Sequence, residues 1–292
     1  MAVDITALYC CLDDFCKVFG DWQAHRLIPS ETTRQRPGKL SRSEMLFIMV
    51  LFHLSPFKHF KAFYLYGVGQ KYRDCFGAIP HYDRFVSLMP RLFAPLMILL
   101  HSLSGEQTGI YFADSTKLAV CHNRRIHRHK VFDGLAARGK TSMGWFYGLK
   151  LHFVINHKGQ IVALKITPGN TADSAVLDEI TQHLAGKLYA DKGSIGHALF
   201  HTLWRRGLHL ITSIRRNMKN YLMPRADKIM LRKRFLIETV LDTLKSEMGL
   251  EHSRHRSPVK AVVHLLSCLV AYAFRLGKPS ISLTGQHIKV YP

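Results

Sequence analysis

Three of the 20 acidic residues in this 292-residue chain sit where carboxylates can do chemistry together. Asp114 closes the apolar stretch Ile110-Tyr111-Phe112-Ala113, and Asp191 closes Leu188-Tyr189-Ala190. Each is an acid at the end of a short aromatic-containing strand, followed by a turn. In open α/β sheets functional groups gather beyond strand ends where the chain order switches, so two such strands side by side would bring the acids together. Like charges held together need a cation between them. Hard carboxylate oxygens select Mg²⁺, with Mn²⁺ as a substitute, and a pair of ions about 3.5–4 Å apart can activate a nucleophile and stabilise the leaving oxygen in phosphoryl transfer. Solvated strand-end aspartates fit the same letters, so a third acid has to decide.

Glu238 is that acid. At about 100° per residue, Arg234 lies about 40° and Lys245 about 20° from it around a helix, so Arg, Glu and Lys share one face. A metal-binding carboxylate flanked by cations suits a phosphate backbone crossing that face. A surface ion ladder uses the same stripe. Asp242 falls on this face as well and is the reserve third ligand.

The elements that must position these acids follow from periodicity and breakers. Residues 5–19, 41–54, 57–76 and 82–103 read as helices, punctuated by Gly77, Pro80 and Pro90. Residues 80–85 could open the second helix of a helix-turn-helix, presenting His81, Tyr82 and Arg84 to DNA, or could pack Phe85 and Leu88 into a small all-α domain. From Gly109 the period changes. Residues 109–120, 145–156 and 160–167 read as three strands in a meander, with Asn156-His157-Lys158-Gly159 as a turn. A helix capped by Thr171 or Asp173 and running to about 184 follows, then a strand at 187–191, a helix at 196–206, a strand at 208–214, a basic loop and a helix at 229–248. This is a mixed α/β order. The expected division is a helical, DNA-binding N-terminal domain over 1–105 and a catalytic α/β domain over 106–292 with a C-terminal helix and tail. Residues 261–274 read as a core helix or a subunit contact.

Charge names the partner class. Lys and Arg number 41, giving +21 at pH 7. Residues 1–110 carry 12 basic and 9 acidic side chains, residues 111–292 carry 29 and 11, so the surplus belongs to the second part. Such a surplus calls for a polyanion, with nucleic acid foremost. Two runs are nearly pure in sign. Residues 121–140 hold Arg124, Arg125, Arg128, Lys130, Arg138 and Lys140 against Asp133 alone, and residues 205–234 hold ten cations, Arg215 and Arg216 among them, against Asp227 alone. Both suit a double-stranded DNA backbone, and Lys192, beside Asp191, joins them. Trp145, Phe146 and Tyr147 could stack on a base flipped near the cut, although core strand aromatics are the commoner use. Cys121, His122, His127 and His129 lack the paired spacing of a zinc site, and the six cysteines form no disulfide framework. Apolar runs fall short of the roughly 20 residues that span a bilayer. The N-terminus carries no secretory pattern. The expectation is a cytoplasmic protein, associated with the nucleoid, without a membrane partner.

Asp114, Asp191 and Glu238, in the order strand, strand, helix, resemble the triad of DDE transposases with a ribonuclease H-like catalytic fold. The likeness extends to Asp114-Ser115-Thr116, Val120-Cys121-His122-Asn123, Lys130-Val131-Phe132, Gly148-Leu149-Lys150-Leu151-His152, Thr167-Pro168-Gly169-Asn170 and Ala190-Asp191-Lys192-Gly193. In that order these blocks resemble those of bacterial transposases of the insertion sequence 982 family, over roughly residues 41–275. Arg234, Glu238 and Lys245 match the R-x3-E-x6-K part of a related signature, while Leu231 stands where it has Tyr and Ser194 where an aromatic is common.

The resemblance implies a fold and a reaction. The fold is a ribonuclease H-like mixed sheet flanked by helices and preceded by a small all-α domain. In the reaction, water cleaves the phosphodiester at an element end, and the freed 3′-hydroxyl attacks target DNA in a second in-line displacement. Asp114, Asp191 and Glu238 would be the catalytic and metal-holding residues, with Arg234 and Lys245 on phosphates. The partners would be inverted-repeat ends and target DNA, held by a homodimer or higher synaptic oligomer. A nuclease of this fold without strand transfer and a catalytically inactive, domesticated DNA-binding protein are the rival functions.

Overall fold

Asp4 accepts the amides of Thr6 and Ala7 and starts α1 (Ile5–Ala24). Ser41 and Glu44 form a reciprocal capping box that starts α2 (Arg42–Leu54). Caps of this kind contribute about 1 kcal/mol each. The computed structural model describes residues 4–25, 38–141, 144–191, 196–213, 223–251 and 255–283. The chain divides into two compact units, Met1–Leu103 with Ser246–Leu250 and Arg256–Gly277, and Ser104–Lys245 with Glu251–His255 and Lys278–Pro292.

The first unit is all helical. After α1 and α2 come α3 (Phe60–Ala62), which widens into a π-helical turn over Phe63–Lys71, then α4 (Tyr82–Leu88) and α5 (Phe93–Ser102). Every side chain of α2 from Met45 to His53 is buried, as expected of a helix apolar on all sides. It packs against α1 and α10 (Pro258–Phe274), and α10 also covers α5. The C-terminal helix thus clusters with the N-terminal helices, its apolar length matching theirs. Within α4, Tyr82 and Phe85 pack on the rings of Phe60 and Tyr64, while His81 and Arg84 stay exposed. The run Tyr82–Ser102 is long and apolar enough to cross a bilayer by length and composition alone. Its Phe85, Met89, Leu92, Leu96 and Leu99 are buried in this unit.

The second unit is built on six strands: β1 (Ile110–Cys121), β2 (Ala137–Thr141), β3 (Gly144–Asn156), β4 (Ile161–Pro168), β5 (Gly186–Ala190) and β6 (Leu208–Thr212). The order is β2-β3-β1-β5-β6, and β4 takes the remainder of the β3 edge left by β2. The expected meander is β1, β3 and β4, antiparallel throughout, and β1, β5 and β6 are parallel. β2 was not expected, because its alternation of cations and Gly139 reads as a basic loop; as an edge strand it needs only one buried face. Helices α6 (Asp173–Ile180) and α7 (His197–Arg205) cover one face, where Tyr111, Val154, Leu177, Leu188, Leu203 and Leu210 share a core. The expected single helix at 229–248 is three segments: α8 (Arg225–Arg232), α9 (Phe235–Asp242) and a π turn over Thr243–Glu247. Short bonds from Leu236 to Lys233 and from Ile237 to Arg234 mark the first break.

Candidate active site

Both acids are placed by the parallel β1–β5 pair: Asp191 directly follows β5, as expected, but β1 runs on to Cys121, so Asp114 lies within its strand and does not close it. Ile110 is level with Lys187, Tyr111 with Leu188 and Phe112 with Tyr189. The pairing ends there, two residues before each acid, so Asp114 and Asp191 follow it at the same chain offset. The Phe112 and Tyr189 rings stack 5.5 Å apart one pleat below. Apolar strand residues thus anchor the pair, and the two acids line one pocket with Ser115, His152 and Asp173.

Asp114 is mostly buried and accepts the Ser115 amide at 2.8 Å. Burial raises its carboxyl above the usual range; the Ser115 amide and Arg234 pull it down, and the charges of Glu238 and Asp173 push it further up. Negative charge is therefore crowded around it.

Helix α9 brings Glu238 to β1. Leu236, Ile237, Val240 and Leu241 are buried, which leaves Glu238 on the polar face. Arg234 immediately precedes the helix, its Nη2 donating to Glu238 Oε1 at 2.9 Å and its Nη1 lying 3.5 Å from Asp114 Oδ2. That Nη1 is buried without a hydrogen-bond acceptor, since the longer contact is an ion pair only. Arg234 is thus the cation between two of the acids. Among the described residues no three His, Cys, Asp or Glu side chains already stand close enough together to hold a metal ion.

Lys245 lies elsewhere. It donates to the Lys117 carbonyl at 3.1 Å and pairs with Glu251 at 3.3 Å, and Glu251 accepts the Ala119 amide. The helical-wheel placement beside Glu238 assumed an unbroken α-helix, whereas the wider π turn starting at Thr243 changes the angle per residue. Arg124, Arg125, Arg128 and Lys130 are exposed on and after a 3₁₀ turn over Asn123–Arg128, past the far end of β1 from Asp114. Lys192, Arg215 and Arg216 lie outside the described residues. Asp242 is exposed. Of the three aromatics at the start of β3, Phe146 is buried and Trp145 exposed.

Asp173 is the residue that sequence reasoning missed. It caps nothing, since the N-cap of α6 is Ala172 without a side-chain bond. Its carboxylate instead meets Lys150 Nζ at 2.8 Å and His152 Nδ1 at 3.2 Å. Burial would raise this carboxyl, but the His152, Lys150 and Ser115 side chains beside it outweigh that and hold the group well below the usual carboxylate range. His152, buried in β3, is fixed on its other side by Thr167 Oγ1 at 2.8 Å. The available signal was the pair Lys150 and His152, two polar residues at strand spacing in an otherwise apolar strand.

Comparison with known proteins bears on this geometry. A family model described as transposase DDE domain matches residues 104–258, just over half the chain. The piggyBac transposase synaptic complex with hairpin DNA, solved by cryo-electron microscopy, is similar over 93% of this chain and 74% of that one, with a TM-score of 0.52 and 10% identity. The Mos1 strand transfer complex and the Mos1 mariner paired-end complex with Mn are matched over 88% and 90% of this chain, and over 85% and 87% of their own. Both are 13% identical, with TM-scores of 0.25 and 0.24, too low to bear on the fold. No curated protein sequence matches. The piggyBac likeness supports the fold: a ribonuclease H-like mixed sheet flanked by helices.

Proposed function

We propose that this chain, which belongs to the transposase DDE domain family, is an insertion-sequence transposase of the 982 family that cleaves element ends and joins them to target DNA. One observation carries the reading: Asp114 and Asp191, each two residues past the paired part of β1 and β5, line one pocket, with Glu238 tied to Asp114 through Arg234.

The donor set fits a hard divalent cation. It is carboxylate oxygen throughout, and the crowding of Glu238 and Asp173 around a buried Asp114 is relieved by added positive charge. Asp114 and Asp191 would hold Mg²⁺, or Mn²⁺ in its place, with Glu238 completing the set by giving up Arg234. A bound ion would offset the charge that builds on the phosphate during in-line displacement.

The side chains do the rest. Arg234, released from Glu238, presents a fork of donors suited to a phosphate oxygen, and its buried Nη1 gains the acceptor it lacks. His152 and Lys150, fixed by Asp173, keep the pocket wall rigid. In the first displacement water forms one P–O bond as the bond to the 3′-oxygen breaks. In the second, that 3′-hydroxyl attacks a target phosphate, again exchanging one P–O bond for another, so no covalent protein intermediate is required. Two ends must be paired, so a homodimer or higher synaptic assembly on double-stranded DNA, in the cytoplasm at the nucleoid, completes the proposal.

The test is incubation with Mg²⁺ and an end-labelled duplex carrying the inverted repeat that bounds the gene. Cleavage that Asp191→Asn abolishes while binding survives supports the reading. Unchanged cleavage, or loss of binding alone, defeats the catalytic assignment.

A further inference from the structure

A face of cations and rings lies at the sheet edge farthest from the acids. In the β2–β3 hairpin Lys140 is opposite Trp145 and Arg138 opposite Tyr147, so all four share one face of the sheet. Gly139 and Phe146, on the other face, are buried. The Arg138 guanidinium lies 5.1 Å and the Lys140 ammonium 5.7 Å from the centre of the Trp145 ring, which is 53% exposed. Among the described residues neither cation is in an ion pair with a carboxylate.

The hairpin is also held firmly. A Cβ on Gly139 would come 2.1 Å from the Gly169 carbonyl oxygen, so the absence of a side chain lets the hairpin dock on the end of β4. Asn123 Nδ2 donates to the Trp145 carbonyl at 2.7 Å, which ties the hairpin to the turn bearing Arg124, Arg125 and Arg128. Positive charge without a neutralising acid, set around an exposed flat ring on a docked hairpin, matches a chain of phosphates with apolar sugar faces between them.

Position decides which part of the DNA this is. Asp114 is opposite Phe153, and Trp145 stands eight residues earlier on β3. At about 3.3 Å per residue that is about 25 Å away. A base flipped at the cut is out of reach of this indole, and duplex lying beyond the cut is within it.

We propose that Arg138, Trp145 and Lys140 form a second DNA-contact site, which grips the backbone of duplex DNA away from the scissile phosphate. The site rests on the transposase reading and specifies how DNA is held; it takes no part in the chemistry.

The test uses the full chain and a fluorescein-labelled duplex of mixed sequence, titrated across a salt series. Arg138→Gln/Lys140→Gln is expected to lower the salt slope of binding by about two. Lys158→Gln/Lys165→Gln removes two cations that are paired with Glu106 and Glu179, and should leave the slope as in wild type. With Trp22 and Trp204 replaced by Phe, the emission of Trp145 should change on addition of duplex. Trp145→Ala should weaken binding about threefold with the slope intact. An unchanged slope in the first variant, an equal fall in the control, or Trp145 emission indifferent to duplex while responding only to single strands would overturn the proposal and leave the transposase reading standing. Failure of the wild-type chain to bind any DNA at low salt would defeat both.

Discussion

Arg234 stands 3.5 Å from Asp114, and its other terminal nitrogen is bonded to Glu238. The guanidinium is the counter-ion of two carboxylates that the proposed chemistry needs for a divalent cation. A cation that trades carboxylate for phosphate contributes only when DNA and metal are both present. Arg234→Gln should therefore bind duplex nearly as well as wild type but cleave an element end roughly a hundredfold more slowly, the usual loss on deleting one preorganised donor. Single-turnover cleavage beside a binding titration separates the two effects.

Asp173 holds Lys150 and the buried His152. Asp173→Asn leaves both without a charged acceptor and should cost about 1–2 kcal/mol by urea denaturation, discounted for partial exposure of the carboxylate. The carboxyl is held low in the folded state, so its contribution is complete above the unfolded value of about 3.9 and disappears as pH falls below that. Wild type and variant should thus begin to converge below about pH 4 and continue to do so as the pH falls toward the depressed folded value.

His53 is buried in the helical unit. Its Nδ1 lies 2.7 Å from the Met248 carbonyl and its ring 4.7 Å from that of His264. Burial, followed by the charge of His264, holds the imidazole well below its ordinary value. A histidine depressed in the folded state protects above its unfolded value of about 6.5 and loses that protection as pH falls. Unfolding free energy should fall between about pH 7 and 5, with a slope approaching about 1.4 kcal/mol per unit for this one group, and the melting temperature with it. His53→Asn, which keeps an amide donor, should start less stable and show a flatter profile.

Asp227, the one acid in the second basic run, is buried and committed to β5. Its Oδ1 accepts from Tyr189 Oη and Lys187 Nζ, each at 2.8 Å. It therefore pairs with the sheet and leaves the neighbouring cations of that run to other partners. Asp227→Ala should cost about 2–4 kcal/mol by orphaning a buried hydroxyl and a half-buried ammonium. Tyr189→Phe should cost about 1 kcal/mol, and a double-mutant cycle should give positive coupling.

The acids were legible because each follows an apolar stretch with an aromatic and a small residue; Asp191 does follow the end of β5, whereas β1 continues through Asp114 to Cys121, because Leu118 and Val120 keep that strand's inner face apolar. The parallel pairing that places them was legible only as a topological expectation. Asp173 was hidden: an acid opening a helix ordinarily caps it, and its partners lie about 20 residues earlier on β3. The break at Lys233 and Arg234 was hidden as well, since apolar spacing runs through it, yet that break sets Arg234 just before α9, from where it reaches Asp114. The basic segment over 121–140 was recognised by charge but placed beside the site. The length of β1 carries it to the opposite end of the strand.

The claim on which the rest depends is that Asp114 and Asp191 together hold a divalent ion. Electron paramagnetic resonance of added Mn²⁺, in the presence of an element-end duplex, measures free ion directly. The account predicts loss of the free-ion signal at stoichiometric protein, restored in Asp114→Asn and in Asp191→Asn while both variants still bind the duplex. Equal Mn²⁺ uptake by wild type and both variants would contradict it.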